Sequence, residues 1–374
     1  MTTRNFDIAI IGGGIIGLTL ARALAKEHAD VAVIDAGAKI PPATNAAAGM
    51  LAPSFEGMTA ADDALYVLCA RSLGMWGGFA AELQDEVGLS IDYRADGILG
   101  VAFDDNEARR LSDDADALTA RGADIEILDG DAARHLEPAL AETIAGALYA
   151  KNDAQVDPRK TLTALRAAIA GKVEMISSRR VDYAARRNSV FSIGLDNGDH
   201  VEAARLVIAS GAAAGALIDE LPLPPVYPVK GEAVALAMPK NMCRRVVRAP
   251  GAYLCPKAGG RLVIGATERD HCDNIEVDHA AVTALIARGG AAMPAIASLV
   301  EIERWAGLRP ATPDGAPILG YDPRGPDGVF LALGHHRNGI LLAPASAAAL
   351  VDEILGRGRA PQTAAFRPDR FSRQ

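Results

Sequence analysis

The chain has 374 residues, with 38 Lys+Arg against 47 Asp+Glu and a formal net charge of −9 at pH 7. That length provides for two domains and a sizeable core, and a composition that is 50% hydrophobic and 23% charged excludes wholesale disorder. The acidic balance argues against nucleic acid as a partner, because phosphate backbones are held by clustered Lys and Arg.

Residues 6–11 read as a short buried strand, followed by Gly12-Gly13-Gly14-Ile15-Ile16-Gly17. A helical run extends from Ile15 to about Glu27, and a second apolar strand, 31–34, ends at Asp35. This is a βαβ unit carrying G-x-G-x-x-G in the context that gives the motif meaning. Gly12 permits the tight turn, Gly14 lets backbone amides approach a pyrophosphate, and Gly17 allows close helix–strand packing. The helix N-terminus adds partial positive charge for the phosphates, and Asp35 is placed to accept hydrogen bonds from a ribose.

Beyond Pro41 the pattern turns irregular, and 44–52 is rich in small residues, as suits a chain passing close to a ligand. Helices are expected over 66–86 and 106–120, with a strand over 98–103 between them. Asp113, Asp114 and Asp116 read as a solvated helix face rather than a metal site. Asp157-Pro158 starts a further helix to about Ala170, with Asp157 as N-cap and Pro158 in the first turn. Strands follow at 173–176, 190–195 and 206–210, the last running into Gly211. A proline-dense segment, 222–228, predicts a crossover between domains. After it come strands at 232–237, 252–256 and 262–266, the last two joined by a hairpin turn at Ala258-Gly259-Gly260. The chain closes with a helix over 278–291, strands at 318–321 and 329–333, and a long apolar helix over 339–355. That terminal strand–glycine–helix element suits the first domain, which would make the domains discontinuous.

Cys69, Cys243, Cys255 and Cys272 are scattered without a C-x-x-C pair, which predicts reduced thiols and a cytoplasmic location. The longest uncharged apolar stretch, 206–218, is shorter than the ~18–20 residues a bilayer needs. Asp7 interrupts the apolar run a signal peptide would require, so no membrane partner is expected.

Chemistry-bearing motifs are sparse. There is no G-x-S-x-G elbow, no H-E-x-x-H and no Cys–His signature. His335 and His336 are adjacent, so on an extended chain they point to opposite faces, which predicts a structural or turn role and no metal. Arginines in apolar or glycine-rich settings stand out instead: Arg309 in WAGLRP (305–310) and Arg337 in GHHRNG (334–339). A guanidinium there needs an anion, either a bidentate substrate carboxylate or a structural ion-pair partner. Tyr253 is placed to donate its hydroxyl to the same carboxylate, or to pack as a sheet tyrosine.

With these residues in view, the chain resembles the D-amino-acid oxidase superfamily of flavoproteins, and within it the thiamine-pathway glycine oxidases. The matching stretches span nearly the full length: IAIIGGGIIGLTLARALA (8–25), TNAAAGMLAP (44–53), YPVKGEAVAL (227–236), YLCPKAGGRLVIGAT (253–267), WAGLRPATPDGAPILG (305–320), GHHRNGILLAPA (334–345) and AAFRPDRF (364–371). The resemblance implies an α/β fold in which a Rossmann-type FAD-binding domain (1–87, 150–220 and 300–374) is interleaved with an antiparallel-sheet α+β substrate-binding domain (88–149 and 221–299).

Carried over residue by residue, it implies FAD at Gly12, Gly14, Ile15, Ile16, Gly17 and Asp35. Thr44, Asn45, Ala47, Ala48, Gly49 and Met50 match the segment running past pyrophosphate and flavin. Val181 matches a backbone contact to the adenine, and Gly211 joins the cofactor set. Arg337, Asn338, Gly339, Ile340 and Leu341 match the site where amides face the flavin pyrimidine. Arg309 matches the arginine that clamps the substrate carboxylate, Tyr253 its hydroxyl partner and Arg337 a second arginine there. No cysteine follows Cys272, so the FAD is expected to be noncovalent.

The implied reaction is oxidative deamination of glycine by hydride transfer to the flavin, with O2 as acceptor. Glyoxylate or its imine, ammonia and H2O2 result, and the resemblance adds homo-oligomerisation and supply to thiamine thiazole formation. One departure stands out: Gly251 occupies the position, two before the tyrosine, where these glycine oxidases carry histidine. Oxidation of sarcosine or small D-amino acids, or an amino-acid dehydrogenase, is the enzymatic alternative. A non-catalytic flavin-binding protein is the other class, against which Arg309, Tyr253 and Arg337 together argue.

Overall fold

The glycine turn and its flanking strands organise one of two large sheets in this computed structural model, which describes residues 3–37, 43–57, 63–216 and 223–371. In the first sheet the strand order is Ile318–Tyr321, Val329–Leu333, His200–Ile208, Thr3–Ile11, Val31–Asp35, Glu174–Ser177. All but the first of these pairings are parallel. Parallel strands are covered on both faces and so read as continuous apolar runs; Ile8, Ala9 and Ile10 are all fully buried. The helices Ile15–Lys26, Asp63–Val87, Pro158–Ile169 and Gly339–Ile354 pack on one face. On the other lies an antiparallel hairpin, Val181–Arg187 with Val190–Leu195, which also pairs with His200–Ile208.

The first helix sits hard against its strand. A Cβ at Gly17 would stand 1.9 Å from the Gly12 carbonyl oxygen, and Gly12 itself has φ +120°. The helix Pro158–Ile169 starts as the sequence predicts, with the Asp157 carboxylate accepting from the Arg159 and Lys160 amides.

The second sheet runs Arg269–Asp270, Tyr227–Ala237, Arg261–Gly265, Ala252–Lys257, Val246–Ala249, Ile98–Ala102, Gly146–Ala150, Ile125–Asp129. The strand Glu301–Ala311 pairs along Tyr227–Ala237 and forms an edge. The helix His279–Ala292 covers the face remote from the first domain, burying Val282 and Leu285 against Leu254 and Ile264.

Here the structure corrects the expected boundary at residue 300. The segment 301–311 belongs to the second sheet, and the chain returns to the first only after Ala311. Its strand character is masked by Glu301, Glu303 and Arg304, and by Gly307 and Pro310, which are poor strand formers. Pro310 is tolerated because it lies on an edge strand opposite Pro228. The proline-dense segment lies, as expected, where the chain passes from the first sheet to the second, although residue 222 lies outside the described residues and Tyr227 already begins a strand. Among the described residues no helix is long and apolar enough to cross a membrane.

Candidate functional site

A single cleft runs from the carboxyl ends of the first sheet, where open α/β sheets bind ligands, to the near face of the second sheet. At one end Gly12, Gly13, Gly14, Ile15 and Ile16 line it, at the start of a helix that has no side-chain N-cap. The Ile15 amide donates to Thr44 Oγ1 at 3.1 Å, which ties the small-residue segment to this turn. Asp35 accepts from the Gly13 amide at 2.7 Å and the Gly37 amide at 2.9 Å, one on each carboxylate oxygen. Each oxygen keeps a lone pair for a hydroxyl. Arg179, Arg180 and Val181 line the same end, as do Ser210 and Gly211. Ser210 Oγ is buried without a hydrogen-bond partner among the described residues. Ala47, Ala48, Gly49 and Met50 line the middle.

At the far end Asn338, Gly339, Ile340 and Leu341 open the helix Gly339–Ile354, also without a side-chain cap. Pro344 lacks an amide proton and interrupts that helix's ladder. Ser72 repairs the break: its hydroxyl donates to the Leu341 carbonyl at 2.6 Å and accepts from the Ala345 amide at 3.3 Å. Trp76 Nε1 donates to the same carbonyl at 2.9 Å. The helix start is thus fixed from behind, and its forward amides remain available to negative charge.

The second sheet presents the polar groups opposite. Trp305, Gly307 and Arg309 alternate onto one face of their strand, and Tyr253 lies on the same face through the row Tyr253, Gly265, Ala233, Trp305. Trp305 Nε1 donates to the Ala46 carbonyl at 3.0 Å, which holds this sheet against the cofactor end. Two glycines make a floor. A Cβ at Gly231 would be 2.4 Å from Arg309 Nη1, and one at Gly265 would be 2.4 Å from the Tyr253 hydroxyl. The guanidinium and the phenol therefore lie flat along the sheet.

Arg309 is half-buried and donates from Nη1 to the Thr267 carbonyl at 3.2 Å. Among the described residues no carboxylate lies within ion-pair distance of it. Its remaining donors form a fork for a planar anion. Burial pushes the Tyr253 hydroxyl up, so it stays protonated and donates.

Arg337 is placed differently, 3.5 Å from Glu56 and 3.9 Å from Glu268. Glu56 also faces Arg248 at 3.9 Å, and Arg248 stacks on Phe55 with 4.9 Å between guanidinium carbon and ring centroid. The short helix Pro53–Gly57 that carries Glu56 is anchored by Ser54 Oγ donating to buried Asp153 at 2.8 Å. Burial pushes that aspartate up to about 7.

Most of the residues expected at the cofactor line this cleft, but two do not. Asn45 is exposed and absent from the lining; its carbonyl accepts from Arg159 Nε at 3.0 Å, because the helix Ala43–Ala46 turns it outward. Gly17 contacts Gly12 beneath the turn and acts through packing. Gly251, where the resemblance implies histidine, is an exposed turn residue outside the lining. His335 and His336 part company. His335 is buried on Ser346 Oγ at 3.1 Å and pulled down to about 3 by burial, whereas His336 lines the cleft. Sequence reasoning missed Glu56, Glu268, Arg248 and the glycine floor. Only Gly265 left a signal, as an isolated glycine inside a strand-like run.

Comparison with known proteins gives four findings. The family model described as FAD dependent oxidoreductase matches residues 7–353. The chain is 35% identical over 373 residues to the bifunctional protein ThiO/ThiG of Synechocystis sp., covering 98% of this chain and 54% of that one, so it spans about half of that relative's length. It is 34% identical to the glycine oxidase of Geobacillus kaustophilus, covering 94% of this chain and 93% of that one. A crystal structure of glycine oxidase from Geobacillus kaustophilus superposes with a TM-score of 0.91, covering 98% of each chain.

Proposed function

This chain belongs to the FAD dependent oxidoreductase family, and from that premise we propose that it oxidises glycine with O2, giving glyoxylate or its imine, ammonia and H2O2. Glycine oxidases match along nearly their whole length. The observation that carries the reading is Arg309 beside Tyr253 on a floor of glycines, without a carboxylate partner, across the cleft from the helix start at Gly339–Leu341. The match to ThiO/ThiG proteins supports a role in supplying thiamine thiazole formation.

The residues present fit FAD. Buried Ser210 Oγ has no partner among the described residues, Asp35 retains free lone pairs, and two uncapped helix starts face one cleft. The amides of Gly14 and Ile16 would hold the pyrophosphate at the turn that Gly12 and Ile15 shape, their own amides being bonded to the Ile34 carbonyl and Thr44 Oγ1, and Asp35 would hold the ribose, with Val181 beside the adenine. Thr44, Ala47, Ala48, Gly49 and Met50 would flank the cofactor along its length, and Gly211 would stand beside the turn. Asn338, Gly339, Ile340 and Leu341 would face the flavin ring, where a helix N-terminus favours negative charge. Bound there, FAD supplies the two-electron acceptor that no side chain provides.

The chain's own residues then bind and orient. Arg309 pairs with the substrate carboxylate through two donors, Tyr253 donates to the same group, and together they fix the position of Cα. Arg337, held between Glu56 and Glu268, adds positive charge at the rim. Four unpaired cysteines suit a reducing cytoplasm, and exposed Val300 and Ile302 at the edge strand suit self-association into a homo-oligomer.

A peroxide-coupled screen over glycine, sarcosine and D-alanine tests the substrate. Glycine is expected to show the highest kcat/KM. Dye reduction by these amines without peroxide would replace the oxidase with a dehydrogenase.

A further inference from the structure

Oxidation of an amino acid leaves one proton to be placed. The substrate arrives as a zwitterion, and its ammonium must become a free amine before the Cα–H bond can be broken oxidatively, a step that calls for a neutral base at the site. Tyr253 is a protonated donor, and Glu56 lies between Arg337 and Arg248 as their counter-charge.

His336 stands apart from these. It lines the cleft, its side chain is 20% exposed, and its Nε2 is buried without a hydrogen-bond partner among the described residues, 3.6 Å from Glu268 Oε1. Its backbone is left-handed, with φ 45°, a conformation a non-glycine residue keeps where its surroundings impose it. Glu268, Arg309, Arg337 and Glu56 are the charged groups that act on the ring. Burial and the two guanidiniums outweigh the two carboxylates and hold the imidazole below its usual range, so it is neutral at pH 7.

We propose that His336 accepts the ammonium proton of the bound amino acid on Nδ1, with Nε2–H turned to the Glu268 carboxylate. The ammonium becomes an amine, the imidazole becomes an imidazolium paired with Glu268, and that half-exposed carboxylate opens the way for the proton to reach water. Orientation of a histidine by a carboxylate on its second nitrogen is the logic of base dyads in general. The inference rests on the reading that Arg309 binds a small amino acid here.

FAD-loaded wild type, His336→Gln and His336→Gly decide it, the last because glycine suits the left-handed backbone. At pH 7, kcat/KM for glycine should fall about 10²-fold in both variants, and recover as rising pH deprotonates the amine in solution. Added imidazole should restore His336→Gly at pH 7. Acetate, which has no ammonium, should perturb the flavin spectrum with equal affinity in all three proteins. A variant profile parallel to wild type, or a loss equal at every pH and unmoved by imidazole, overturns the proposal and leaves the oxidase reading standing. Wild type that binds acetate yet turns over no small amino acid removes both.

Discussion

Replacing Arg309 with alanine is expected to lower kcat/KM for glycine by between about 10²- and 10⁴-fold, the rate equivalent of ~3–5 kcal/mol lost when one partner of a buried charged pair is removed. The size follows from how the guanidinium is held. Its one hydrogen bond among the described residues goes to the Thr267 carbonyl, and Gly231 beneath it lets it lie flat. Most of its donor capacity is therefore free for a ligand carboxylate, which would otherwise stay in water. KM should rise more than kcat falls, because the clamp acts on the substrate as well as on the transition state. Arg309→Lys should recover only part of the loss, since an ammonium is a point charge that cannot reproduce the planar fork. Stability should change little, because no ion pair among the described residues is broken; steady-state kinetics and a thermal melt check both halves.

The second large effect concerns the cofactor end. Gly17→Val should yield protein that has lost FAD and at least ~3 kcal/mol of stability, the upper range for overpacking a tight contact. A Cβ there meets the Gly12 carbonyl oxygen at 1.9 Å. The oxygen is backbone and the Cβ position is fixed by the helix backbone, so no flexible side chain can yield and the helix must lift from its strand. Gly14→Ala is the control, since its Cβ meets only Thr44 Oγ1, at 3.6 Å. That variant should keep its fold, and any loss should fall on FAD affinity alone. Flavin absorbance per mole of purified protein and the melting temperature are the measurements; a Gly17→Val protein with full flavin and a wild-type melt would show that the close approach is not required.

What the sequence made legible was what depends on near neighbours. Strand, glycine turn, helix and Asp35 lie within one short stretch and state their geometry directly, as do Asp157 and Pro158 at the start of their helix. The strand that carries Arg309 was hidden because its fitness depends on a distant partner. Glu301–Ala311 has charges and a proline that local propensity counts against it, and it forms because Tyr227–Ala237 offers a long edge. The carboxylates around Arg337 were invisible for the same reason, since Glu56 comes from the first third of the chain and Glu268 from the loop after Gly265. Adjacent histidines look equivalent in sequence. Only packing separates His335, buried on Ser346, from His336, which faces the cleft. Asn45 shows the converse: it lies within a matching motif, yet the turn of a four-residue helix points it to solvent.

The central claim is that Arg309 and Tyr253 hold a small amino acid for oxidation by the bound flavin. Anaerobic addition of glycine to the FAD-loaded enzyme tests it most directly, followed by the flavin absorbance. The account predicts that the oxidised spectrum bleaches in wild type and returns when O2 is admitted, with one peroxide formed per flavin. A spectrum unchanged by glycine, sarcosine and D-alanine alike would contradict it and leave a flavin-binding protein without this activity.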